Sequence, residues 1–79
     1  MWITVKLYAI LRQYFAEASP GQGQVVEAPE GSTGRDVIRR MGVPDDVPLV
    51  AMVNGTVQPL QHVLQDGDTL HVFPPVVGG

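Results

Sequence analysis

Leu49-Val50-Ala51-Met52-Val53-Asn54-Gly55-Thr56-Val57-Gln58 is the stretch that decides the fold. An apolar run with no polar alternation, Leu49 to Val53, reads as an interior strand or as a strand with one sticky outer face. Asn54 and Gly55 both tolerate positive φ, which predicts a two-residue hairpin turn returning through Thr56-Val57-Gln58. A sheet is therefore expected, and the rest of the chain is read by what it adds to this hairpin.

Towards the carboxyl terminus, Pro59 to Leu64 suits an irregular or single-turn connection. Asp66-Gly67-Asp68 is a turn into a further strand, Thr69-Leu70-His71-Val72-Phe73. Pro74 and Pro75 carry no ladder donors, so 74–79 should leave the sheet as a flexible, extended tail. Towards the amino terminus, Thr33 stands three residues before Asp36, an N-cap with an acidic group in the first turn of a helix. Val37, Ile38 and Met41 give that helix its apolar stripe, Gly42 offers the C-cap and Pro44 prevents continuation. Arg35, Arg39 and Arg40 lie away from much of the stripe and read most simply as a solvated face. A short strand is expected from Gln24 to Ala28. Before it, Ile10, Leu11, Tyr14 and Phe15 place apolar groups on one helical face, stopped by Ser19-Pro20-Gly21. Ile3, Val5 and Leu7 alternate with Thr4, Lys6 and Tyr8 in a half-buried strand. The order β-α-β-α-β-β-β is an α+β arrangement, one main sheet covered by helix on one face.

With 79 residues, a single domain spanning 1–79 is expected. No cysteine is present, which removes a disulfide framework and any thiolate zinc site. Stability must come from an apolar core, and 44% hydrophobic content against 16% charged can supply one. A formal charge of -3 disfavours nucleic acid as a main partner. No apolar run reaches the ~18 residues that a bilayer span needs. Met1 to Lys6 lacks the blocks of a signal peptide, so a cytoplasmic location is the expectation.

Catalytic constellations are scarce. There is no thiol nucleophile, Ser19 and Ser32 sit in turn or cap contexts, and the lone lysine, Lys6, is in no P-loop. Asp66 and Asp68 flank a turn glycine, and His62 and His71 suggest no shared site, so no metal is assigned. No independent active site is expected. The tail is different. At an average glycine usage of ~7%, Gly78-Gly79 closes a chain by chance about once in two hundred. The prolines before it stiffen and project it, and residues without side chains suit a narrow channel where any Cβ would clash.

Leu64-Gln65-Asp66-Gly67-Asp68 followed by Val72-Phe73-Pro74-Pro75-Val76-Val77-Gly78-Gly79 resembles the small subunit of molybdopterin synthase and its MoaD/ThiS relatives. The opening Ile3 to Arg12 and the helix entry Pro29-Glu30-Gly31-Ser32-Thr33 resemble the same family. The resemblance implies a ubiquitin-like β-grasp fold, a mixed sheet with helix packed on one face and an extended Gly-Gly tail. It also implies a sulfur carrier with no bound cofactor, the sulfur-carrying subunit of a molybdopterin synthase-like complex. An E1-like adenylating enzyme would use ATP to make a Gly79 acyl-adenylate. A persulfide sulfur from a donor protein then displaces AMP and leaves a thiocarboxylate, which gives its sulfur to a molybdopterin synthase large subunit or another acceptor in molybdenum or tungsten cofactor biosynthesis. The Val53-Asn54-Gly55 hairpin is shared with thiamine-type and stand-alone carriers. Three alternatives remain open: a thiamine-type or other biosynthetic carrier, a ubiquitin-like protein modifier, and a non-covalent interaction module.

Period-two alternation locates a partner surface. If Ile3, Val5, Leu7, Leu70 and Val72 face the helix-covered core, then Tyr8, His71 and Phe73 point the other way. Val50 and Met52 join them if Leu49, Ala51 and Val53 face inward. An exposed face of this composition reads as a docking site, with Phe73 as its anchor beside the tail.

Overall fold

Alternation along the first strand sets the two faces of the sheet. The computed structural model describes residues 1–8 and 23–75. Strand β1 (Trp2–Leu7) sends Ile3, Val5 and Leu7 into the interior. The expected helix around residues 10–15 and the tail residues Val76, Val77, Gly78 and Gly79 lie outside the described residues. Strand β2 (Gln24–Glu27) runs antiparallel to β1, with Ile3 opposite Val26. Strand β3 (Val50–Val53) turns through Asn54 at φ 51° and Gly55 at φ 88° into β4 (Thr56–Gln58). Strand β5 (Thr69–Phe73) pairs parallel to β1 and antiparallel to β3. The order across the sheet is β2-β1-β5-β3-β4. The run from Val50 to Val53 is thus an interior strand, as its sequence implies.

Helix α1 (Gly34–Arg40) has seven residues, too few to be stable alone. Both halves of the expected capping box are present: Thr33 Oγ1 accepts from the Asp36 N–H at 3.2 Å, and Asp36 Oδ2 accepts from the Thr33 N–H at 3.0 Å. Hydrogen bonding of the Asp36 carboxyl, first to the Thr33 backbone N–H and then to the Thr33 side chain, holds it below the usual carboxylate range. Two further N–H groups of the first turn donate to a neighbouring loop, Gly34 to the His62 carbonyl and Arg35 to the Leu60 carbonyl. That loop is the connection after Pro59, and it is strapped down by a bridge between Thr33 and Val63 and by the Leu64 N–H donating to the Ser32 carbonyl. At the far end the C-cap is Met41, and Gly42, expected in that place, follows it at φ 90°. Met41 keeps right-handed backbone, so the reversal into the left-handed region falls one residue later, where no Cβ obstructs it.

The core lies between α1 and one sheet face. Ile3, Val5, Leu70, Val72 and Val37 are fully buried, and Ala51, Val53, Ile38, Val43 and Leu64 close around them. Burying each large side chain contributes about 1.5–3 kcal/mol, set against the entropy of ordering the chain. Arg39 leaves the apolar stripe and forks onto Asp45, Nε to Oδ1 and Nη2 to Oδ2, both at 2.8 Å. Hydrogen bonding to Arg39 lowers the Asp45 pKa and raises that of Arg39. No helix among the described residues is long and apolar enough to cross a membrane.

Candidate functional site

The side of the sheet away from α1 carries the alternate residues of each strand. Parallel pairing sets Lys6 beside His71, and the Tyr8 N–H donates to the Val72 carbonyl at 3.1 Å, which continues the ladder to the end of β5. On this open face Tyr8 and Phe73 stack with centroids 4.3 Å apart and planes 12° from parallel. His71 lies beside them, 5.9 Å from Tyr8 and 6.5 Å from Phe73 between centroids. A hydrogen bond of 2.8 Å joins the Tyr8 hydroxyl to His71 Nδ1. Offset stacks of this kind hold rings in one orientation.

Antiparallel pairing with β3 then extends the surface, Met52 opposite His71 and Val50 opposite Phe73. The residues singled out from sequence, Tyr8, Val50, Met52, His71 and Phe73, therefore share one face. Val50 is exposed, but Tyr8, Met52, His71 and Phe73 are half-buried rather than open. Pro74 and Pro75, also half-buried, continue directly from Phe73. Gly78 and Gly79 lie outside the described residues, so their relation to this face rests on chain order alone.

Sequence reasoning overlooked three members of the face. Val57, 65% exposed, stands opposite Met52, and the two-residue turn Asn54-Gly55 already dictates that register. Trp2 and Val25 form a second exposed apolar spot towards the other edge, with Val25 opposite Thr4 and Trp2 opposite Glu27. The alternation of β1 carried the signal for Trp2, since it shares parity with Thr4, Lys6 and Tyr8.

The carboxylates that flank Gly67 serve the turn. Asp66 Oδ1 accepts from the Trp2 N–H at 2.6 Å. Asp68 accepts from the Gln65 N–H at 2.8 Å and from Asn54 Nδ2 at 2.9 Å. Asn54 Oδ1 in turn accepts from the Thr69 N–H at 3.0 Å, so the hairpin turn is fastened to the start of β5. Among the described residues no three His, Asp or Glu side chains are grouped to hold a metal ion. The arrangement offers stacked aromatic rings beside the aliphatic side chains of Val50 and Met52.

Comparison with known proteins follows the same lines. The family model described as the ThiS family matches residues 12–79. A search of curated proteins returns no match. Among solved structures, the chain is similar to SAMP1 from Haloferax volcanii at 24% identity, over 100% of both chains, with a TM-score of 0.74. It is similar to a Pyrococcus furiosus protein described as molybdopterin converting factor, subunit 1, at 28% identity over 95% of this chain and 98% of that one, TM-score 0.70. At 16% identity and a TM-score of 0.61, over 100% of both chains, it shares the fold of a protein in a complex of subunits 1 and 2 of molybdopterin-converting factor from Helicobacter pylori. The five-stranded mixed sheet with its helix is the ubiquitin-like β-grasp.

Proposed function

This chain belongs to the ThiS family, whose model runs through its last residue, and from that premise we propose that Gly79 is its reactive group in sulfur transfer. The coarser role is a ThiS/MoaD-like sulfur carrier or ubiquitin-like modifier. The proposal adds the chemistry. An α-carboxylate is anionic at neutral pH and resists attack, because a nucleophile would have to expel oxide. It can itself attack the α-phosphate of ATP when an E1-like enzyme aligns the two. Pyrophosphate leaves, and the acyl carbon now carries AMP as a competent leaving group. The terminal sulfur of a donor persulfide displaces AMP, and a thiol then cleaves the sulfur–sulfur bond to leave a thiocarboxylate. Sulfur is delivered onward to an acceptor subunit in molybdopterin biosynthesis.

The observation that carries this reading is the platform of Tyr8, His71 and Phe73, flanked by Val50 and Met52, which runs straight into Pro74-Pro75. A partner that grips the platform holds the start of the tail at a fixed point, and the last residues reach from there into its active site. The 28% likeness to the Pyrococcus protein supports the molybdopterin branch. The cytoplasm is where ATP and the biosynthetic partners would meet it.

Conjugation to protein lysines is the second reading, favoured by the fold shared with the small archaeal modifier protein 1 of H. volcanii. It uses the same adenylate and differs in the nucleophile. Intact mass after incubation with an E1-like enzyme, ATP and a sulfur source separates the two. Sulfur in place of one oxygen establishes the carrier, whereas lysine-linked adducts alone establish the modifier. An unchanged mass refutes both.

A further inference from the structure

Lysine occurs once in the 79 residues, at Lys6. The other basic side chains are those of Arg12, Arg35, Arg39 and Arg40 and the imidazoles of His62 and His71. Guanidinium stays protonated and is no nucleophile at neutral pH. With cysteine absent and Ser32 buried, an activated acyl group meets one side-chain amine on this domain. Its position is specific. Lys6 projects from β1 onto the open face, register-paired with His71 and next but one to Thr4 and Tyr8 on the same side. Its stem lies over Gly23, since a Cβ there would stand 2.8 Å from Lys6 Cγ. Lys6 is half-buried, as a stem laid along backbone would be. The ion pairs among the described residues are those of Arg35 and Arg39 with Asp45, on the helix side.

We propose that the Lys6 amine is where one copy of this chain accepts the activated Gly79 of another, and that this linkage closes the acceptor copy's open face to other partners. The inference rests on the activation of Gly79 proposed above. The lone pair of Nζ attacks the Gly79 acyl carbon of a second copy, and the bond from that carbon to the AMP oxygen breaks. AMP leaves with the electron pair, and the surplus N–H proton passes to solvent. An isopeptide bond remains. From Pro74 to Gly79 the donor tail spans at most about 20 Å, so the donor domain sits over or beside the platform of Tyr8, His71 and Phe73. A copy so linked keeps its own free Gly79 but loses the surface that presents it. Chain growth and partner docking thus exclude each other at a single residue.

The test uses the full chain, an E1-like activating enzyme and ATP without a sulfur source, with pyrophosphate release followed in the same tube. The expected product is two chains joined with loss of one water and a branched peptide at Lys6. Lys6→Arg should lose that product while pyrophosphate release continues. Calorimetry of the purified linked pair should then find one bound activating enzyme, not two. Activation without a joined product, a joined product that persists in Lys6→Arg, or two enzymes per pair each overturns the proposal. If Lys6→Arg also loses pyrophosphate release, Lys6 belongs to docking and the proposal falls. No pyrophosphate from the unaltered chain instead refutes the activation of Gly79, and this inference with it.

Discussion

At Gly23 the backbone takes φ 76°, and an added Cβ would lie 2.9 Å from the Val5 carbonyl oxygen. Any other residue is strained there and also meets backbone that cannot move without parting β1 from β2. Gly23→Ala should therefore lower stability by about 1–3 kcal/mol, read from denaturant midpoints at unchanged slope. Phe73 is a different case, because it is half-buried on the face away from the core, stacked on Tyr8. Phe73→Asp should weaken binding to the activating enzyme by about 2 kcal/mol or more, as aromatic anchors do when truncated. Titration calorimetry and a melting curve on the same variant decide it: unchanged affinity refutes the anchor, and a collapsed melting temperature reassigns Phe73 to structural support.

At the scale of the element, α1 depends on its cap and on the loop that feeds carbonyls to its first turn. Thr33→Ala removes the acceptor for Asp36 N–H and should cost about 0.5–2 kcal/mol by thermal unfolding. The same cap shapes the acid response. Asp36 and Asp45 both ionise more readily folded than unfolded. Their contribution is therefore complete above the unfolded value of about 3.9, and it is lost as pH falls through the lower folded values. Melting temperature should drop on acidification below that point, less steeply in Asp36→Asn and Asp45→Asn. Equal slopes in all three proteins would show that other carboxylates govern the acid limb. The cap was legible in sequence because Thr33 and Asp36 are three residues apart and local geometry does the rest. Its loop was not. Gly34 and Arg35 reach carbonyls of residues 62 and 60, and a contact across that separation leaves no periodic trace in the chain.

For the molecule as a whole, the reaction proposed at Gly79 draws on none of the described residues that build the core. Deleting Gly79 removes none of the contacts described and should leave the melting temperature unchanged, while thiocarboxylate formation is abolished. Full sulfur transfer in the shortened chain would end the carrier reading. The same separation explains what sequence revealed. Alternation assigned Ile3, Val5, Leu70 and Val72 to the core, and the Asn54-Gly55 turn fixed one hairpin. Tyr8, His71 and Phe73 were assigned to one side by parity. Parity says nothing about neighbours: the stack and the Tyr8–His71 hydrogen bond exist because β1 and β5 lie side by side, which no local signal announces.

That central pairing has a consequence for synthesis on the ribosome. β5 sits between β1 and β3 and is what joins the β1–β2 pair to the β3–β4 hairpin. A nascent chain that has emerged as far as Gln58 holds two separate hairpin-like fragments, neither with the strand that its inward residues pack beside. Closure across more than sixty residues, the span between Tyr8 and His71, is slow relative to local contacts and comes last. Translation must pass Phe73 before the sheet can close, so the stack of Tyr8 on Phe73 is among the last features of the domain to form.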